Sequence, residues 1–512
     1  MANNYVPSVR ELLDIAAEKF GSSPFIKYVE NGEVQEKSFI QVREDSLAVC
    51  RMIRNICKEK INIAVVGKTS YEYLIFATAV IISGNVFVPF SPEISEKEAT
   101  SLFDRADIEM LLFEKEFTRS AEVLMSACDK LKYIQSFADS QEIFTNYSSD
   151  SVFASLSDYE VDKDDCAIII YTSGTTGVKK GVMLSSNALV GNIMYHDYCT
   201  DIFNENDVSL SVLPMYHCYC FSGDYIKNLK DGLQLCLNSN LRDITTNLKI
   251  FEPKVIRLVP MIAQSLLQRI KMVERRNPRI SPREAAESVY GKNIKWLISG
   301  GAYLSPELVD EYARYDIIIR QGYGMTEAGC RISVPDNDVS YESVGRVTDV
   351  CEVRIQNGEI QVNTPTRMLG YYKMPEESDE MFTDDGWLKT GDIGYLTEDN
   401  QLFVTGRVKN LIILSSGENV SPEAIEKKLA GIDLVDEVLV YGERNQIIAE
   451  IYPNLEYANV DNISDIEAML ESIVDEMNAS AKASHVISKI KVRETPFEKT
   501  GSGKIKRNQT LI

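Results

Sequence analysis

Residues 61–113, INIAVVGKTSYEYLIFATAVIISGNVFVPFSPEISEKEATSLFDRADIEMLLF, alternate short β-branched runs with longer helix-like stretches. INIAVVG, VFVPF and IEMLLF carry the strand signal, and YEYLIFATAVII and SEKEATSLFDRA the helical one. Strands separated by helices of that length predict parallel sheets covered by helices, an α/β architecture. The longest apolar stretch, Leu74–Phe90, is interrupted by Gly84 and Asn85 and ended by Pro89. It falls short of the ~20 uninterrupted residues of a membrane span and reads as a buried helix followed by a strand.

Outward from this stretch, further strands are expected at CAIIIYT (166–172), VSLSVLP (208–214), VIRLVP (255–260), KWLISGG (295–301) and IIIRQGYG (317–324). Several run directly into Gly-, Ser- or Thr-rich loops, and in open α/β sheets ligands gather where such strand-end loops converge. From about residue 345 the strands shorten, and QNGE and EDNQ read as hairpin turns of a β subdomain. After Arg407 come SPEAIEKKLAG as a capped helix, DEVLVYG and IIAEIYP as strands, and a long helix around residues 463–483. The expected division is 1–408 for a large N-terminal domain and 409–512 for a small α+β C-terminal domain.

The 512-residue chain has a formal charge of -22, which argues against nucleic acid as a partner, because phosphate binding requires a positive surface. A basic run at 482–507 (Lys482, Lys489, Lys491, Arg493, Lys499, Lys504, Lys506, Arg507) is the exception, and such a run is ordinarily a solvated face. Ten scattered cysteines without a CxxC pair, and an N-terminus without a secretory pattern, suit reduced thiols in the cytoplasm. Cys218 and Cys220 lie close enough to share a metal, but no second ligand cluster is near them in sequence.

The sharpest local signal is YTSGTTGVKKG, Tyr171–Gly181. Thr172, Ser173, Gly174, Thr175, Thr176 and Gly177 form a small-residue loop whose N–H groups and hydroxyls suit phosphate oxygens, with Lys180 adding charge. Lys179 stands where a Walker loop requires its second glycine, so this is not that motif.

The string resembles the phosphate-binding signature of the adenylate-forming superfamily, which includes acyl-CoA synthetases, firefly luciferases and peptide-synthetase adenylation domains. Further strings follow in that superfamily's order: SGGA (299–302), QGYGMTEAG (321–329), TGD (390–392), GRVKNLIILSSGENVSP (406–422) and TGSGKIKR (500–507). The resemblance spans essentially the whole chain and implies the superfamily's fold, with a mobile C-terminal domain. It implies an adenine and acyl pocket from Gly300, Gly301, Ala302, Gln321, Gly322, Tyr323, Gly324, Met325 and Thr326. Tyr323 is expected over the adenine face. Asp392 and Arg407 are expected at the ribose, Glu327 and Thr176 at Mg²⁺, and Lys504 between the substrate carboxylate and the α-phosphate.

The implied reaction is attack of a carboxylate on ATP to give an acyl-adenylate, then transfer to a thiol after the C-terminal domain turns about Lys409. The segment LPMYHCYCFSGDY (213–225) resembles the acyl-pocket motif of fatty acyl and aryl ligases and places His217 at the acyl entrance. Cys218 stands where amino-acid-activating domains carry an aspartate, which disfavours an α-amino acid. A fatty acid is the expected substrate and CoA the expected acceptor. Residues 434–453 lack the His-Pro and Pro-Asp segments of typical CoA ligases, so the phosphopantetheine arm of an acyl carrier protein stands as the alternative.

Overall fold

Strand Asn62–Val66 is flanked in parallel by Val86–Phe90 and Ile108–Phe113 near the middle of a seven-stranded sheet. The structure, a computed structural model, describes residues 6–148, 161–173, 179–194, 203–336, 338–414, 418–460, 463–482, 485–499 and 505–507. Helix Tyr71–Ile82, the first part of the long apolar stretch, is capped by the Ser70 hydroxyl, which accepts from Tyr73 N at 3.0 Å. Eleven of its twelve residues are buried, because it packs against both the sheet and helix Phe39–Ile56. Among the described residues no helix is long and apolar enough to cross a membrane.

This sheet is parallel at its centre and antiparallel at one edge, where Cys166–Ser173 pairs with Lys179–Ser185 and the latter with Gly370–Tyr371. The strands on either side of the small-residue segment are an antiparallel pair, in register with Thr172 opposite Lys180.

A second seven-stranded sheet runs in the order Ile318–Gln321, Trp296–Ser299, Val255–Leu258, Val208–Ser211, Gln234–Leu237, Pro24–Glu30, Glu33–Ser38. All of its pairings are parallel except the last. Arg257 stands opposite both Ser211 and Ile298, and Ser299 opposite Gln321, so four strands end at nearly the same level. The loops carrying Gly300–Gly301 and Gly322–Tyr323 leave from that edge.

The β subdomain is an antiparallel sheet of Glu352–Gln356, Glu359–Asn363, Leu388–Leu396 and Leu402–Arg407. Its first turn has Asn357 and Gly358 at φ 53° and 83°, as a two-residue hairpin requires. Residues beyond Ile412 build their own core around strands Val435–Glu443, Gln446–Pro453 and Ile487–Val492.

One local expectation differs from the structure. The Ser421 hydroxyl donates to Thr405 O at 2.8 Å instead of capping helix Pro422–Ala430, and so ties that helix to strand Leu402–Arg407. The long C-terminal helix expected around 463–483 is Ile466–Ser480, capped by Asp465 accepting from Ala468 N at 3.0 Å, and a short helix, Leu455–Val460, precedes it.

Candidate active site

The parallel register of the second sheet delivers two glycine-rich turns to one cavity. Gly300 N is bonded to Leu258 O and Gly322 N to Ser299 O, so each turn is anchored on the neighbouring strand. Gly324 lies so close to the Cys330 carbonyl that a Cβ would stand 1.7 Å from its oxygen, and only glycine fits there. The cavity, about 170 Å³, is lined by Gly300, Gly301, Gly322, Tyr323, Gly324, Met325 and Thr326, with Cys218 and Tyr219 facing them. Ala302 follows at the exposed rim. The Gln321 side chain is buried, accepting from Leu304 N at 3.2 Å and donating to Ser343 O at 3.1 Å, so it braces the two turns.

Tyr323 joins the cavity to the β subdomain. Its hydroxyl donates to Asp392 Oδ2 at 2.6 Å, and Arg407 Nε holds Asp392 Oδ1 at 2.8 Å. Asp392 and Arg407 are opposite each other in the antiparallel pair, which explains how a residue from each of two motifs reaches one point. Burial, and then Asp392, raise the Tyr323 pKa well above its ordinary value, so the phenol remains a donor. Asp392 is buried and Arg407 exposed, which leaves the guanidinium at the surface of the group.

Glu327 sits in the short turn Thr326–Ala328, and its Oε1 accepts from the Tyr371 hydroxyl at 2.9 Å. Tyr371 belongs to the edge strand beside the small-residue loop, and Lys180 Nζ lies 4.7 Å from its ring centre. One aromatic side chain thus brings Lys180 and Glu327 together. Gly174, Thr175, Thr176, Gly177 and Lys504 lie outside the described residues, as does the Ser173 side chain. Thr172 Oγ1 lies 3.5 Å from Lys180 O at the loop's base.

His217 precedes the short helix Cys218–Cys220, with its ring 4.8 Å from that of Tyr216. The ring reaches solvent, yet the protein packed around it lowers its pKa by desolvation. Cys218 is bonded to Cys330, which ties the segment that follows His217 to the turn just beyond Glu327. The expectation of reduced thiols throughout is corrected at this pair, whose separation of 112 residues leaves no spacing signal. Among the described residues no group of three or more His, Cys, Asp or Glu side chains is arranged to hold a metal.

Other contributors were not singled out by the sequence: Tyr371, Arg257 and Lys227, and Tyr219 within the segment 213–225. Tyr219 donates to Ile298 O at 3.2 Å and presses its ring on Gly300, while Lys227 and Arg257 stand in the cavity wall. The basic run near the C-terminus is largely neutralised. Lys491 meets Glu443, Arg493 meets Glu450, Lys499 meets Glu437, Lys506 meets Glu498 and Arg507 meets Glu426.

With this geometry in hand, the chain compares with known proteins as follows. The sequence model of the AMP-binding enzyme family matches residues 13–372, and that of the AMP-binding enzyme C-terminal domain matches 409–512. Long chain acyl-CoA synthetase 1 of Arabidopsis thaliana is 28% identical over 402 residues, covering 64% of this chain and 60% of that protein. 4-Coumarate–CoA ligase 3 of Oryza sativa subsp. japonica is 27% identical over 57% of this chain and 55% of its own. The chain therefore spans a little over half the length of these curated relatives. The crystal structure of ATP-bound MatB from Rhodopseudomonas palustris superposes with a TM-score of 0.82 at 20% identity, over 98% of both chains. The family match extends over more than two thirds of the sequence, and the chain belongs to the AMP-binding enzyme family.

Proposed function

We propose that this protein is an AMP-forming carboxylic acid–CoA ligase, which makes an acyl-adenylate from ATP and then transfers the acyl group to the CoA thiol. The observation that carries this reading is the linkage of the glycine-lined cavity, through Tyr323, to Asp392 and Arg407. A buried carboxylate beside an exposed guanidinium suits a ribose next to a phosphate chain. In this reading Tyr323 covers the adenine, Asp392 accepts from the ribose hydroxyls, and Lys180 steadies the phosphates. Lys504 offsets the charge that develops as the carboxylate attacks and pyrophosphate leaves.

The donor set fits Mg²⁺ brought in by ATP. Glu327 is a hard oxygen donor oriented by Tyr371, and such a site needs only one or two carboxylates because phosphates and water complete the shell. Glu327, with Thr176, would hold the ion, which when bound neutralises phosphate charge. The two-domain division at Lys409 and a cytoplasmic setting belong to the same proposal.

For the acid, the relatives' names support a long-chain fatty acid or a cinnamate-like aryl acid. For the acceptor, the ion-paired C-terminal basic residues offer CoA phosphates little free charge, which keeps a carrier protein's phosphopantetheine arm as the second reading.

Acid-dependent exchange of labelled pyrophosphate into ATP, over fatty, aryl and amino acids, tests adenylation, and adding CoA or carrier protein to the best acid identifies the acceptor. Exchange abolished by Lys504→Ala is the expected result. No exchange with any acid would overturn the proposal in favour of a non-catalytic nucleotide-binding regulator.

A further inference from the structure

Two walls of the cavity are joined by the Cys218–Cys330 bond. Both cysteines line the cavity, Cys218 beside Tyr219 and Cys330 on the side of Met325 and Thr326. Cys218 is 4% exposed, whereas Cys330 is partly open to solvent. The other cysteines among the described residues are free thiols, and burial raises the pKa of every one of them. Thiols held protonated in this way are poor nucleophiles. Exchange chemistry is therefore concentrated at the bonded pair.

The two walls are not equally anchored. On the Cys330 side, Met368 N donates to Glu327 O at 2.7 Å, Thr366 Oγ1 donates to Ala328 O at 3.2 Å and Cys330 N donates to Met325 O at 3.0 Å. A Cβ on Gly329 would stand 2.4 Å from Thr366 O, so that turn is pressed onto its neighbour. The Cys218 side is a helix of three residues, Cys218–Cys220, fastened to the second sheet by the Tyr219 hydroxyl on Ile298 O. Two thiols cannot stand as close as two bonded sulfurs, so reduction parts the walls. The movement falls on the Cys218 side, while Glu327 and Tyr323 keep their bonds to Tyr371 and Asp392.

We propose that Cys218–Cys330 is a reversible redox-modification site, reduced by dithiols, which sets how closely the cavity fits the acyl group. The proposal rests on the ligase reading and adds a regulation to it. A thiolate of the dithiol attacks Sγ of Cys330, the more exposed residue, and Cys218 leaves as a thiolate. The second thiol of the reagent then displaces Cys330 and closes the reagent's own disulfide, so two electrons and two protons pass to the protein. A small disulfide such as oxidised glutathione reverses the exchange. In the cytoplasmic setting proposed above, thiols are kept reduced, and disulfides that form are characteristically transient or redox-sensing.

The test is pyrophosphate exchange by the full-length protein, treated with oxidised glutathione or with dithiothreitol. KM is measured for ATP and for the best acid of the fatty and aryl panel. Reduction is expected to raise KM for the acid about 4- to 10-fold, the effect of a methylene-sized gap beside an apolar ligand, and to leave KM for ATP within about twofold. Reoxidation should restore the lower value. Cys330→Ser and Cys218→Ser should each show the higher value with and without reductant.

The same KM for the acid in both redox states overturns the proposal and leaves the ligase reading intact. So does a response to reductant that persists in Cys330→Ser, since another thiol then carries it, and so does an equal rise in KM for ATP. The wild-type comparison decides the question even where the variants do not fold. Absence of exchange with every acid in both states overturns both readings together.

Discussion

The Tyr323 hydroxyl and Arg407 Nε grip opposite oxygens of Asp392, at 2.6 and 2.8 Å. The carboxylate is thereby aimed before any ligand arrives, which reduces the ordering cost of binding. Asp392→Asn keeps the shape but removes the charge that both partners face. KM for ATP should rise about 10- to 100-fold, as expected for losing a hydrogen bond to a charged group of about 1.5–3 kcal/mol. Tyr323→Phe should cost less, because Arg407 still holds the carboxylate. Unchanged ATP saturation in Asp392→Asn would remove the ribose assignment.

Tyr371 makes a second such prediction. Burial and Glu327 keep its phenol protonated, so it donates to the carboxylate throughout the working pH range. Glu327→Gln should slow exchange about 100-fold and move the Mg²⁺ saturation curve to higher concentration, because a charged oxygen ligand is lost. Tyr371→Phe should shift the same curve by about tenfold or less, in line with one hydrogen bond. Mg²⁺ dependence identical to wild type in Glu327→Gln would place the ion elsewhere.

These two sites show what was legible in the chain. The strands were readable because β-branched runs end in glycine, and glycine is demanded where a backbone carbonyl closes in, as Cys330 O does on Gly324. Motif residues that are adjacent in sequence, such as Gly322 to Thr326, arrived in the cavity together. Pairings across the fold were not legible. Glu327 and Tyr371 are 44 positions apart, Asp224 and Arg257 are 33, and Cys218 and Cys330 are 112. Each depends on which strand edges become neighbours, and periodicity in one segment carries no information about that.

The Cys218–Cys330 bond encloses more than a hundred residues, and a loop of that size constrains the unfolded chain by about 4–5 kcal/mol in the chain-entropy account. Denatured protein should titrate two fewer thiols without reductant than with it. Reduction, or Cys330→Ser, should lower the thermal midpoint by several degrees. The same thiol count with and without reductant would show that the bond does not form in solution.

The hinge prediction concerns Lys409, in the turn Val408–Asn410 between strand Leu402–Arg407 and the C-terminal core. Proline there restricts φ and removes an N–H, so rotation between half-reactions should suffer more than either resting arrangement. Lys409→Pro should keep pyrophosphate exchange within a few-fold of wild type and slow thioester formation at least about tenfold, the signature of a gating step. Equal losses in both assays would count against rotation about this residue.

The last prediction concerns pH. His217 is desolvated, so its folded pKa lies below the ordinary 6.5 and the neutral imidazole prevails at pH 7. The unfolded chain takes up its proton near 6.5, while the folded protein resists until lower pH. Unfolding therefore binds a proton in that interval, and the stability contribution present above 6.5 is lost as pH falls. The chain has three histidines, so substituting one assigns its imidazole resonance. His217 should titrate below 6.5, and His217→Gln should lose less thermal stability than wild type between pH 7.5 and pH 5.5, about one unit either side of that value. Titration at or above 6.5 would mean that the packing around the ring does not desolvate it, and an acyl chain packed against it would then face a cation in mildly acidic solution.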